Sequence, residues 1–203
     1  MRTGSAGGII YLRMNNIAIF ASGSGTNAQR ISEYFSAHPS IRVKLIFCNN
    51  PSAHVIRRAE ALGIPCELFD RRTFYETGHI VSLLGKNDIS LIVLAGFLWL
   101  IPPNLLKAYK GKIINIHPAL LPKYGGRGMY GSHVHEAVIR SGDKESGISI
   151  HHVNEKYDDG SIIFQSRCPV LEGDSVETLA GRIHELEYRY YPEVIERLLE
   201  SGF

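Results

Sequence analysis

The chain has 203 residues, 44% hydrophobic and 21% charged, which is enough apolar material to bury one globular core. Its 22 Lys and Arg against 20 Asp and Glu leave a formal net charge of +2, dispersed along the chain, which argues against a nucleic-acid surface. No apolar run approaches the ~18 residues of a membrane span, and Cys48, Cys66 and Cys168 are an odd, widely spaced set without a C-x-x-C pair, which fits neither a disulfide framework nor a zinc site. Residues 1–13 precede a second methionine, Met14, and their only apolar run, Ile9 to Leu12, is too short for a signal-peptide core. We therefore expect an upstream-start or appended extension at 1–13, a single domain over 14–203, and a cytoplasmic protein with reduced thiols.

Strand-like runs at Ile17–Ala21, Val43–Cys48, Cys66–Phe69, Leu91–Ala95 and Ile113–Ile116 alternate with helical patterns at Asn27–Ser36, Val55–Leu62 and Thr73–Lys86. Such alternation implies a parallel sheet. Leu91 to Leu94 is apolar at every position, as a central strand covered on both faces requires. A helix near Val134–Ser141 leads to strands at Ile148–Val153 and Ile162–Val170, which a polar turn containing Asp158-Asp159-Gly160 makes antiparallel. The last helix, about Val176 to Glu200, repeats apolar residues at spacings of three and four and should pack on the sheet, with Pro192 as the place for a kink. The expected fold is α/β: a Rossmann-like, mostly parallel twisted sheet with helices on both faces and an antiparallel C-terminal portion.

Ser22-Gly23-Ser24-Gly25-Thr26-Asn27-Ala28 ends the first strand and opens the first helix. Glycines permit the tight turn, and free N–H groups at the positive helix end suit a phosphate. The spacing also satisfies G-x-G-x-x-A, but a dinucleotide fold wants an acidic residue at the end of the second strand. That strand ends Phe47-Cys48-Asn49-Asn50, without a carboxylate. A monophosphate is the preferred ligand; a dinucleotide and a purely structural turn stay open as alternatives.

Asn115 and His117 are two apart on a short apolar strand, so both point to one face, and Pro118 ends the strand where the sheet opens into a loop. Acyl or formyl transfer places negative charge on an oxygen, which a positioned amide and a protonated imidazole stabilise. An imidazole titrates near about 6.5, so a neighbouring carboxylate would keep a useful fraction protonated. Asp158 or Asp159 could supply it; equally, such residues make turns for conformational reasons, and an isolated His often caps a strand end. His133, His135, His151 and His152 have no carboxylate or cysteine at the spacing of a zinc motif, so we expect substrate contacts or polar packing from them and no metal.

Taken together, Ile19–Gln29 (IFASGSGTNAQ), Leu94–Ile101 (LAGFLWLI), Asn115–Tyr124 (NIHPALLPKY), Gly147–His151 (GISIH) and Asp158–Gln165 (DDGSIIFQ) resemble the phosphoribosylglycinamide formyltransferases. The resemblance spans essentially Met14 to Phe203. It implies transfer of the formyl group of 10-formyltetrahydrofolate to the amine of glycinamide ribonucleotide in purine synthesis, with small-molecule partners, no metal, and a monomer or homodimer. It further implies that His117 is the general acid, that Asn115 holds the formyl oxygen and that Asp158 orders the imidazole or water and raises its pKa. Gly25, Thr26 and Asn27 would hold the substrate phosphate and Glu187 the ribose hydroxyls. Leu98, Trp99, Leu100 and Ile101 would line the pteridine pocket, and Arg72 would meet the folate. Two departures stand out: Trp99 replaces a basic or polar residue common in the family, and Gly125 to Gly131 is longer than the usual loop.

The NIHP motif is also similar to that of methionyl-tRNA formyltransferase, but about 200 residues leave no room for its tRNA-binding domain. Formyltetrahydrofolate hydrolase carries an N-terminal regulatory domain, for which thirteen leader residues do not suffice. A non-catalytic nucleotide-sensing module would explain the glycine loop and leave Asn115, His117 and Asp158 as coincidence.

Overall fold

A computed structural model describes residues 14–202; the expected extension at 1–13 lies outside the described residues. In chain order the elements are β1 (Asn15–Ala21), α1 (Thr26–Tyr34), β2 (Ile41–Cys48), α2 (Val55–Ala61), β3 (Cys66–Leu68), α3 (Arg71–Glu76) and α4 (His79–Lys86). They continue as β4 (Ile89–Leu94), α5 (Pro103–Ala108), β5 (Ile113–His117), α6 (Ser132–Ser141), β6 (Glu145–His152), β7 (Ile162–Pro169) and α7 (Val176–Ser201). The strands form one seven-stranded sheet in the order β3-β2-β1-β4-β5-β6-β7. Pairings from β3 through β5 are parallel, whereas β6 runs antiparallel to both β5 and β7. β4, which contains the apolar run Leu91–Leu94, is the middle strand.

Strand alternation divides the core between the two faces of the sheet. Ile17, Ile19, Leu91 and Val93 point to one face, where they pack with Ala28 and Ile31 of α1, Val55 of α2, Val138 of α6 and Ile183 and Tyr191 of α7. Ala18, Phe20, Ile92 and Leu94 point to the other, against Phe74 of α3, Ile80 and Leu84 of α4 and Leu105 of α5. Each of these large apolar side chains contributes about 1.5–3 kcal/mol when fully buried. Tyr191, fully buried, donates its hydroxyl to the Leu94 carbonyl at 2.9 Å, so α7 is bonded to the sheet just below the ends of its central strands.

Two differences from the sequence pattern have local causes. The segment expected as one helix over Thr73–Lys86 is two, because Thr77 is extended at φ −120°, ψ 164° and Gly78 follows it. Asp70 starts the first of them by accepting the Thr73 N–H at 2.7 Å, a side-chain cap. Helix α5 was absent from the pattern; Pro102-Pro103 hides it, although proline at the first helical position is a start signal. α7 is continuous through Pro192, which is buried.

From β1 the chain winds outward to β2 and β3, then returns to β4 and proceeds the other way to β5. The carboxyl ends of β1 and β4 therefore meet at a topological switch point, where loops diverge and leave a crevice. Among the described residues, no helix is long and apolar enough to cross a membrane.

Candidate active site

The crevice is a cavity of about 640 Å³ lined from the ends of β1, β4 and β5, the 126–131 loop, the β6–β7 connection and α7. At one end lies the glycine turn. Gly25 takes the left-handed conformation at φ 73°, and a Cβ there would lie 2.5 Å from the Cβ of Val55, so both backbone shape and the approach of α2 require glycine. None of the hydrogen bonds of the described residues uses the N–H groups of Ser24, Gly25, Thr26 or Asn27, which line the cavity at a helix start. No side chain caps α1. An anion acceptor would complete that end of the helix.

Asn27 donates from Nδ2 to Glu187 Oε2 at 2.9 Å, and His184 Nδ1 bonds the same oxygen at 2.9 Å. Glu187 raises the His184 pKa through this bond, against the effect of burial. His135 sits close by, buried, with Nδ1 lacking a hydrogen-bond partner; burial and the neighbouring His184 push its pKa down.

The other chemically rich end is built where β5 and β6 pair, with Asn115 opposite His151. His117 is buried, donates from Nε2 to the Tyr124 carbonyl at 2.7 Å, and turns Nδ1 toward Asp158 Oδ2 at 3.5 Å. His151 donates from Nδ1 to the His152 carbonyl at 2.8 Å, which leaves Nε2 to accept from Asn115 Nδ2 at 3.2 Å. Asn115 Nδ2 also reaches Asp158 Oδ1 at 3.4 Å, and Gly126 N–H donates to Asp158 Oδ2 at 2.9 Å. With His151 Nε2 3.6 Å from Oδ1, one carboxylate adjoins two imidazoles, an amide and the start of the glycine-rich loop.

Burial lowers the His117 pKa from its ordinary 6.5; the Asp158 charge and the Tyr124 carbonyl raise it by less, so the net direction is down. The expected elevation by Asp158 is real as one contribution, but taking the ring out of water outweighs it. For Asp158, burial raises the pKa, while the His151 ring 3.6 Å from Oδ1, the His117 charge and the Gly126 N–H together outweigh it and leave the carboxyl below its ordinary value.

Asp158 reaches this position because the β6–β7 connection folds tightly back. Its own backbone is left-handed at φ 54°, which aspartate tolerates better than most residues. A Cβ on Gly160 would lie 1.7 Å from the His152 carbonyl oxygen, so only glycine allows the connection to rest on the end of β6. Asp159 points elsewhere: it is exposed and pairs with Asn154 and Lys156.

The third wall is the segment Leu98 to Ile101, held by Phe97 and Ile101, both buried in the aromatic face of the core. Phe97 meets Phe20 edge-on at 5.4 Å and Phe74 at 5.5 Å. Ser22 Oγ accepts the Leu98 N–H at 3.1 Å, and Tyr75 donates to the Leu100 carbonyl at 3.0 Å. These bonds fix the backbone of the segment along the cavity wall.

The formyl transferase family matches residues 15–195. A phosphoribosylglycinamide formyltransferase of Bacillus subtilis is 40% identical over 191 residues, covering 92% of this chain and 95% of that protein. The chain belongs to the phosphoribosylglycinamide formyltransferases. A crystal structure of that enzyme from Streptococcus pneumoniae superposes with a TM-score of 0.81 at 38% identity, covering 92% of this chain and 99% of that one. The enzyme from Bacillus halodurans gives 0.82, also at 38%, covering 91% and 95%.

Of the residues that the family resemblance singled out, the structure brings Gly25, Thr26, Asn27, Leu98, Trp99, Leu100, Ile101, Asn115, His117, Asp158 and Glu187 into the lining of the one cavity. Arg72 is exposed on α3, outside that lining. Its neighbour Arg71 instead lies over the Trp99 ring at 5.2 Å, which returns a cation to the position where Trp99 departs from the formyltransferase pattern. His151, His135 and His184 also line the site. The alternation that places His151 beside Ser149 was visible in the sequence, but its pairing with Asn115 needed the register of two strands.

Proposed function

We propose that the chain transfers the formyl group of 10-formyltetrahydrofolate to the amino group of 5-phosphoribosylglycinamide. What carries this reading is the shared cavity: an anion cradle at Gly25–Asn27 and an amide–imidazole–carboxylate cluster face the same crevice. Its volume falls within the roughly 300–1,000 Å³ typical of small-molecule sites. The cradle residues Gly25, Thr26 and Asn27 would take the phosphate, and Glu187 the ribose hydroxyls. Leu98, Trp99, Leu100 and Ile101 would hold the folate ring through backbone groups, with Arg71 or Arg72 reaching its acidic tail.

Formyl transfer moves one proton overall, from the attacking amine to the departing folate nitrogen. The His117 imidazole would relay that proton, taking it up as the amine adds and returning it to the leaving nitrogen. Asp158 stabilises the imidazolium while it lasts, since protonated Nδ1 would face Oδ2. Asn115 gives up its long 3.4 Å contact to Asp158 and turns that N–H to the formyl oxygen as charge develops there. His151 keeps the amide oriented.

The test follows folate absorbance with the protein present, with and without glycinamide ribonucleotide. Turnover that requires the ribonucleotide supports the transferase. Consumption of formyl-folate without it makes the protein a hydrolase, and binding without turnover removes the catalytic reading.

A further inference from the structure

We propose that Arg58, which lies outside the cavity lining, is a positioning residue that aims the cradle's N–H groups at the substrate phosphate; this rests on the phosphate reading above. In a trans peptide the carbonyl of one residue and the N–H of the next point in opposite directions. Two successive carbonyls of the glycine turn are held from behind by α2. Gly23 O accepts the Val55 N–H at 3.2 Å, and Ser24 O accepts Arg58 Nε at 2.9 Å. The N–H groups of Ser24 and Gly25 are consequently turned away from α2. Gly25 O in turn accepts the Gln29 N–H at 2.9 Å, the first bond of α1.

The Arg58 side chain does more than fill one acceptor. Its Nη1 donates to Oε1 of Gln29, so a single planar guanidinium braces the turn and the first turn of α1 together. A half-buried Arg on a helix is ordinarily explained by packing of its stem. Here both donors of the fork go to the two segments that carry the free N–H groups, and the fixed positive charge lies behind an anion site. A lysine could reach one acceptor but could not bridge both in a plane.

The experiment compares wild type, Arg58→Met and Arg58→Lys by steady-state kinetics in each substrate, by inhibition with inorganic phosphate, and by thermal melting. Arg58→Met should raise the KM for glycinamide ribonucleotide about tenfold and weaken phosphate inhibition to match, with kcat and the formyl-folate KM changed less than about twofold. Arg58→Lys should fall between them. A ribonucleotide KM within about twofold of wild type in Arg58→Met overturns the proposal, as does an equal loss for both substrates accompanied by a lower melting temperature. Should the Met variant not fold, a Lys variant with wild-type KM is equally decisive against it. Wild-type turnover indifferent to the ribonucleotide overturns the phosphate reading itself, whereas a ribonucleotide-dependent wild type matched by Arg58→Met overturns Arg58's role alone.

Discussion

The two ends of the cavity are made in different ways. The cradle is a run of consecutive residues, Ser22 to Asn27, and its chemistry is backbone N–H at a helix start. The other end draws Asn115 and His117 from β5, His151 from β6 and Asp158 from the connection to β7, and the groups it presents are side chains. An end built from backbone tolerates exchange of side chains that leave its turn intact, whereas an end built from side chains depends on every group and on the register that assembles them.

Substitutions can separate the two ends. His117→Ala should lower kcat by on the order of a hundredfold or more with the ribonucleotide dissociation constant nearly unchanged; single-turnover rates beside a binding titration measure both, and wild-type turnover would break the division of labour. Thr26→Asp puts a carboxylate where a phosphate would sit and should raise the ribonucleotide KM about thirtyfold, with a smaller change in kcat. An unchanged KM would move the phosphate elsewhere.

Acid should weaken the His-rich end. His117, His135 and His152 have pKa values lowered by burial from an ordinary 6.5. The unfolded chain therefore binds protons first, and the stability these rings provide above pH 6.5 is lost as pH falls toward their folded values. His184 opposes the trend: its raised pKa stabilises the fold at low pH and that contribution fades as pH rises through its folded value. Melting temperature should fall between about pH 7 and about pH 5, and a level or rising profile would mean that the His184–Glu187 pair dominates. The smallest effect is expected below both ends. Tyr191→Phe removes the hydroxyl bond to the Leu94 carbonyl and should cost about 1–2 kcal/mol in urea unfolding, with both substrate KM values unchanged. A change in one KM alone would show that the scaffold is tied to one end.

Much of the scaffold was legible locally. The continuous apolar run Leu91–Leu94 announced a central strand, and Gly25 before Thr26 announced a tight turn opening a helix. What stayed hidden depended on short or shared signals: α5 behind two prolines, and the break at Thr77-Gly78 inside a pattern that stays apolar at helical spacing. In the site, turn chemistry offered Asp158 and Asp159 as equals, and only the family resemblance favoured Asp158. The clearance of Gly160 above the His152 carbonyl, which turns one of them inward and leaves the other in solvent, is invisible in an Asp-Asp-Gly string.

By itself the sequence determined the layered α/β fold, the tight glycine turn before α1 and the Asn-x-His pair, because periodicity, glycine permissiveness and strand alternation act over a few residues. Only the tertiary structure decided that His151 joins that pair, that Arg71 rather than Arg72 lies over Trp99, and that burial outweighs a neighbouring carboxylate at His117. Those outcomes rest on distances and water exclusion between residues far apart in the chain, which strand register and packing set.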